Sequence, residues 1–155
     1  MQPVISLGEI TIEGTADLAA LLANDETLIE TLRDKKTVRS FSSNRLLIDL
    51  VTWQRTTNSN SYIITLGQEH IGLISLSHQH GMSARIGYWI ASSHWHKGYT
   101  TQAFNLLLEL AKDRGFTIVK GKMDRQDIAS VRIWKKAGAS FSDIDGKYIA
   151  ELKLT

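Results

Sequence analysis

The chain has 155 residues, 43% of them hydrophobic and 22% charged, with one proline, no cysteine and a formal net charge of +2. That is the size and composition of one domain able to bury its own core without disulfides or a structural metal, and a single domain is expected over residues 1–155. The missing cysteines exclude thiolate zinc sites, iron–sulfur clusters and any cysteine thioester, and the small net charge gives no reason to invoke nucleic acid. The longest apolar runs, such as Leu46-Leu47-Ile48, fall far short of the roughly 20 residues of a membrane helix. With no basic and apolar leader pattern at the N-terminus, no membrane association and a cytoplasmic location are expected.

In chain order, Gly8 to Ile12 reads as a first strand, followed by a helix over Ala16 to Ala23 capped by Thr15. Asp25 caps a second helical run with Leu28, Ile29 and Leu32 on one face, which ends in the charged cluster Arg33-Asp34-Lys35-Lys36. Ser43 or Asn44 caps a third helix with Leu47, Leu50 and Val51 inward. After a polar loop at Thr57 to Ser61, the pattern becomes an antiparallel meander: Tyr62 to Leu66, a turn at Gly67-Gln68-Glu69, Ile71 to Leu76, then Ala84 to Ala91. A long helix from about Gly98 to Arg114 carries Phe104, Leu107, Leu108 and Ala111 on one stripe and ends at Gly115. Phe116 to Val119 is a strand, Asp127 caps a helix through Ile128, Val131, Trp134 and Ala137, and a closing hairpin turns at Asp145-Gly146. The fold class is therefore α+β with a mixed, mostly antiparallel sheet flanked by helices, not a repeated βαβ unit.

Chemistry is expected where the last meander strand meets the long helix, at Trp95-His96-Lys97-Gly98-Tyr99-Thr100-Thr101. A helix N-terminus offers unpaired backbone N–H groups and the positive end of its dipole, and Lys97 with the Thr100 and Thr101 hydroxyls would suit a pyrophosphate. The same residues also fit an ordinary strand-to-helix turn. Neither GxxxxGK[ST] nor GxGxxG occurs, which disfavours ATP and NAD.

Tyr88-Trp89-Ile90, then Trp95-x-Lys97-Gly98-Tyr99-x-Thr101-x-Ala103, then Asp127-x-Ala129-Ser130-x-Arg132-x-x-Lys135-Lys136-x-Gly138 resemble the core of the GNAT acetyltransferases. Within that family the chain is similar to the RimJ/RimL-like branch of ribosomal-protein N-terminal acetyltransferases, over Gly72 to about Phe141. The resemblance implies the GNAT fold, acetyl-CoA as cosubstrate, and transfer of the acetyl group to a primary amine by direct attack in a ternary complex. The amine would be a protein N-terminus or a small amino compound, with the enzyme a monomer or homodimer. A non-catalytic acyl-CoA-binding or sensing domain is the alternative.

By the same resemblance, His96, Lys97, Gly98, Tyr99, Thr100 and Thr101 form the pyrophosphate loop, although the family signature falls on Trp95, Gly98 and Thr100 and departs at two of these three positions. His96 stands where the family commonly has glycine, and Asp127 where it has a pantetheine-binding asparagine. The backbone of Trp89, Ile90 and Ala91 is expected to splay from the next strand at a β-bulge, pairing with pantetheine and polarising the thioester. Arg85 occupies the region of the family's glutamate base, so His78, His80 and His94 become the candidates for that role. Trp134 replaces the family's tyrosine acid, which leaves Ser130, matching the branch's serine, as the candidate acid and cofactor contact.

The pairs His78-x-His80 and His94-x-His96 could each present two imidazoles to a metal, but no carboxylate or cysteine accompanies them, and no metal is expected. Asp25, Glu26 and Glu30 could attract a cationic amine or simply complement helix dipoles. Arg125, Arg132, Lys135 and Lys136 could meet the CoA 3′-phosphate or solvate the last helix.

Overall fold

The computed structural model describes residues 4–32 and 42–155. The elements are β1 (Ile5–Gly8), α1 (Ile12–Asn24), α2 (Glu26–Ile29), α3 (Ser43–Thr57), β2 (Asn60–Leu66), β3 (Glu69–His78), β4 (Ser83–Ile90), a 3-10 turn (Ser92–His94), α4 (Tyr99–Asp113), β5 (Ile118–Asp124), α5 (Ile128–Ala137), β6 (Ser140–Ile144) and β7 (Lys147–Lys153). The sheet order is β1-β2-β3-β4-β5-β7-β6, and only β4 and β5 run parallel. The α+β class with a mostly antiparallel sheet is as the sequence indicated.

Several boundaries differ from the sequence reading. The first strand is Ile5–Gly8, not Gly8 to Ile12, because Thr11 caps α1 by accepting from the Gly14 amide. Thr15 is not a cap; it is buried in α1 and its hydroxyl donates to the Thr11 and Ile12 carbonyls. Ser42, rather than Ser43 or Asn44, caps α3, and that helix buries Leu46 while Val51 is exposed. β5 runs on to Asp124, five residues beyond the expected Val119. The Arg33–Lys36 cluster lies outside the described residues.

Strand alternation divides the core between the two faces of the sheet. Ile64, Ile74, Leu76, Ala84, Ile86, Ile90, Val119, Met123, Ala150 and Leu152 pack against Phe104, Leu107 and Ala111 of α4 and Trp134 of α5. Ile63, Leu73 and Trp89 meet Leu18, Leu22, Leu28 and Leu46 of α1 to α3 on the other face. Trp134 is the largest fully buried side chain and makes an edge contact with Phe104, ring centroids 4.9 Å apart. Its indole lies so close over β5 that a Cβ at position 121 would come within 2.5 Å of it, so Gly121 is required for α5 to seat.

Asp25 ties α2 to the end of β4. Its carboxylate accepts from the Leu28 amide at 3.1 Å, the Ser92 amide at 2.8 Å and the Ser92 hydroxyl at 2.6 Å. Burial pushes its pKa up, but the Ser92 hydroxyl, the Ser92 amide and the Leu28 amide together outweigh this and hold it below the ordinary value. A carboxyl depressed in the folded state contributes stability above its unfolded pKa, about 3.9, and loses it as pH falls through the folded value. Asp25→Asn is therefore expected to lower Tm at pH 7, by the several degrees that loss of a charged cap of about 1–2 kcal/mol implies. The difference from the parent should shrink progressively below about pH 4 in acid unfolding curves.

Candidate active site

β4 and β5 are hydrogen-bonded over three register pairs, Ser83–Ile118, Ala84–Val119 and Arg85–Lys120, and then part. β3 follows β4 in unbroken register from Gly72–Ile90 to His78–Ala84, so the two strands separate without the expected bulge in β4. The only register shift on β3 is against β2, at Ile64/Thr65. The V-shaped gap arises because β5 stays with β7 through Asp124–Lys147, while α5 crosses beneath it.

Which β4 groups face the gap follows from the β3–β4 ladder. The Ala91 amide donates to the Ile71 carbonyl at 2.7 Å, and the Gln79 amide to the Ser83 carbonyl at 2.9 Å. Residues 83 and 91 thus direct their polar groups to β3, and by alternation so do 85, 87 and 89. The free backbone edge consists of Tyr88 and Ile90. This corrects the expectation for Trp89 and Ala91, whose amides are committed to β3, and retains Ile90. The Ile90 carbonyl in turn accepts from the Trp95 indole N–H at 3.0 Å, leaving the Ile90 N–H and both Tyr88 groups toward the opening.

At the mouth of the gap, α4 begins at Tyr99 with Gly98 as N-cap at φ 82° and no side chain capping its first amides. The space above Gly98 is open, since a Cβ there would meet nothing within 4 Å. The Tyr99, Thr100 and Thr101 amides belong to the first helical turn and have no intrahelical acceptor, while Lys97 is exposed beside them. His96 adopts φ 63°, the left-handed conformation that glycine takes without strain. Left-handed backbone costs a side-chain-bearing residue ~1–2 kcal/mol, partly offset by the entropy glycine loses on folding. His96→Gly is expected to raise stability by about 0.5–1 kcal/mol, seen as a Tm increase of roughly 2 °C.

Asp127 caps α5, accepting from the Ser130 amide at 3.2 Å. Ser130 is buried, and its Oγ accepts a 2.8 Å hydrogen bond from the Tyr88 hydroxyl across the gap. Burial, aided by the negative charge of Asp127, pushes the Tyr88 phenol up to about 12 against the hydrogen bonds it makes with Ser130 and the neighbouring Trp134 indole. The phenol is protonated throughout the ordinary pH range and acts as donor. Ser130, having accepted that hydrogen bond, is left to direct its own hydroxyl hydrogen elsewhere. Tyr88 is the site residue that sequence reasoning missed as a side chain. Its signal was parity: Ile86, Tyr88 and Ile90 alternate onto the α5 face.

The histidines are spread over both ends of the sheet. His78 closes β3 opposite Ala84, its Nε2 2.7 Å from the Gly81 carbonyl, and His80 follows in the exposed β3–β4 turn. Both lie at the paired end of β4 and β5, and the structure does not bring them together with Ser130. His94 is at the open end, where its Nε2 is 2.9 Å from a Glu69 carboxylate oxygen and its ring lies 5.9 Å from that of Tyr99, tilted by 56°. No group of three His, Cys, Asp or Glu positioned for a metal occurs among the described residues. Arg125 pairs with Asp143 and lies over the Tyr148 ring, whereas Arg132, Lys135 and Lys136 are exposed on α5.

A family model described as acetyltransferase (GNAT) domain matches residues 6–140. No curated protein sequence matches the chain significantly. Among solved structures, the chain is similar to RimL, a ribosomal alpha-N-protein acetyltransferase in complex with coenzyme A, at TM-score 0.83 and 17% identity, covering 97% of this chain and 94% of that one. The microcin C7 self-immunity acetyltransferase MccE, in complex with acetyl-CoA and AMP, superposes at TM-score 0.81 with 19% identity over 96% of this chain and 92% of its own. Mycobacterium smegmatis RimJ, in complex with CoA-disulfide, gives TM-score 0.80 and 17% identity over 99% and 90%.

Proposed function

The chain belongs to the GNAT acetyltransferase family, and from that premise we propose that it transfers the acetyl group of acetyl-CoA to a primary amine by direct attack within a ternary complex. The observation that carries this reading is the gap itself. Its edge offers the Tyr88 and Ile90 backbone groups, α4 begins at its mouth, and a hydroxyl pair bridges it.

The pyrophosphate of acetyl-CoA lies against the Tyr99, Thr100 and Thr101 amides, with Lys97 and the positive end of α4 balancing its charge. Pantetheine extends into the gap as a substitute strand beside β4. A β4 amide N–H that donates no bond in the free protein then polarises the thioester carbonyl, stabilising the oxyanion that forms when the amine attacks. The amine nitrogen bonds to the carbonyl carbon, the tetrahedral intermediate collapses with cleavage of the C–S bond, and CoA leaves as a thiolate. Its ordinary pKa, by analogy with cysteine, is about 8.5, so a donated proton favours its departure near neutral pH. Ser130 supplies that proton, its hydroxyl held in direction by Tyr88, and the seryl oxygen regains one from solvent. The proton lost from the attacking amine passes to solvent or to a basic group of the acceptor side.

Two measurements test this reading together. At acetyl-CoA about 100 times its Kd, binding adds roughly 2.7 kcal/mol and should raise Tm by several degrees, with ATP and NAD giving no shift. Free thiol should then appear from acetyl-CoA only when an amine is present. Thermal stabilisation without amine-dependent thiol release would overturn the catalytic reading in favour of a binding domain.

A further inference from the structure

The two faces of the β4–β5 gap differ in access and charge. On one face α4, α5, Trp134 and the Tyr88–Ser130 bridge fill the space beneath the strands. On the other, no described residue covers the sheet at Gly87, where an added Cβ would meet nothing within 4 Å. An acceptor approaching acetyl-CoA from the side away from α4 must cross this second face.

Register and alternation identify what it meets there. Arg85 is opposite Lys120 across the last β4–β5 pair, so Lys122 stands level with Gly87 on the far side of the gap. Lys120 and Lys122 face opposite to Val119 and Met123, which are in the core with α4 and α5. Lys147 lies beyond them, opposite Asp124 on β7. The carboxylates that β5 and β7 direct to this face are already engaged, Asp124 of β5 with Lys147 and Glu151 of β7 with Lys120 at 3.8 Å. Arg85 and Lys122, both exposed, have no ion pair or hydrogen bond among the described residues. Trp89 borders the same face and is half-buried against α1 to α3.

Resting on the acetyltransferase reading above, we propose that the acceptor is an amine that also carries an anionic group, held by Arg85 and Lys122 while its nitrogen reaches the thioester beside Tyr88. The spacing fits: Arg85 is three residues from Tyr88, ~10 Å along an extended strand, and Lys122 is nearer to its level. A cationic acceptor would be repelled by the same pair. Asp25 does not offset this, because its carboxylate is occupied by Ser92 and the Leu28 amide.

Carboxylates could be presented by an acidic peptide N-terminus or by a small amino acid, and the test separates these sources. Thiol release is measured with a free N-terminal peptide containing Asp and Glu next to the first residue, and with its Asn and Gln isostere. A parallel pair compares 3-aminopropanoate with 3-aminopropanamide. In the pair that matches the natural source, the acidic acceptor should have kcat/KM at least about tenfold higher at low salt, and the advantage should fall as added salt shortens the screening length. The Arg85→Gln, Lys122→Gln double variant should abolish the preference while acetyl-CoA still raises Tm.

Equal kcat/KM within both pairs, or a preference that survives in the double variant, would overturn the proposal. Equilibrium binding of the same acceptors to the CoA-loaded protein provides a readout independent of turnover. Tighter binding of the acidic partner without thiol release would refute the catalytic reading and sustain the anionic site, whereas indistinguishable binding would refute the site.

Discussion

On the proposed mechanism, Ser130→Ala should lower amine-dependent thiol release by about 100-fold or more, the range expected when a positioned proton donor is lost, while Kd for acetyl-CoA should change little. The effect should fall on kcat and kcat/KM alike, because the bond to the leaving sulfur strengthens only as negative charge develops there. Tyr88→Phe keeps the Ser130 hydroxyl but removes the 2.8 Å bond that fixes its direction, so a smaller loss, roughly tenfold, is expected. Since burial has pushed the Tyr88 phenol up to about 12, its deprotonation cannot shape activity below about pH 10. The pH–rate profiles of the parent and Tyr88→Phe should therefore have the same shape between pH 6 and about pH 10, differing only in height. A basic limb that disappears in Tyr88→Phe would show that the phenol itself titrates during turnover.

Trp134→Ala is the most destabilising single change expected in the described structure. The side chain is fully buried, meets Phe104 edge-on at 4.9 Å, and fills the space that Gly121 leaves above β5. Deleting an indole from such a site removes its transfer energy and leaves a cavity, together worth about 3–5 kcal/mol. For a domain of this size that lowers Tm by roughly 10–15 °C, measurable by thermal or urea unfolding. Trp134 also supports the active side of the gap, because it carries the α5 backbone from which Ser130 projects and places its indole beside Tyr88. Loss of acetyl-CoA-induced stabilisation should accompany the loss of stability. The position that resemblance associates with a catalytic tyrosine is thus occupied by a core residue.

The elements legible in the sequence were those whose hydrophobic period was long and whose ends carried a cap. The stripe of Phe104, Leu107 and Ala111 identified α4, and Asp127 with Gly138 bracketed α5. The N-terminal boundary was misplaced because Ile10-Thr11-Ile12 alternates like a strand, whereas the Thr11 hydroxyl caps a helix and Ile12 is exposed at its first position. In the site, the loop at His96 to Thr101 could be read from a glycine, a lysine and a helix start in succession. The free β4 edge could not be assigned to the correct residues, since that depends on which parity bonds to β3, a property of pairing rather than composition. The Tyr88–Ser130 bond joins residues 42 positions apart and exists only because α5 crosses under the point where β4 and β5 separate. The histidines attracted attention as the residues with suitable chemistry, yet His78 and His80 sit at the closed end of the strand pair.

The most direct test of the account is amide hydrogen exchange along β4, followed residue by residue with and without acetyl-CoA. If the pantetheine arm pairs with the free edge, acetyl-CoA protects the Tyr88 and Ile90 amides, while Trp89 and Ala91, already bonded to β3, change little. Unchanged exchange at Tyr88 and Ile90 under saturating acetyl-CoA, or protection that falls on Trp89 and Ala91 instead, would contradict the placement of the cosubstrate in the gap between β4 and β5.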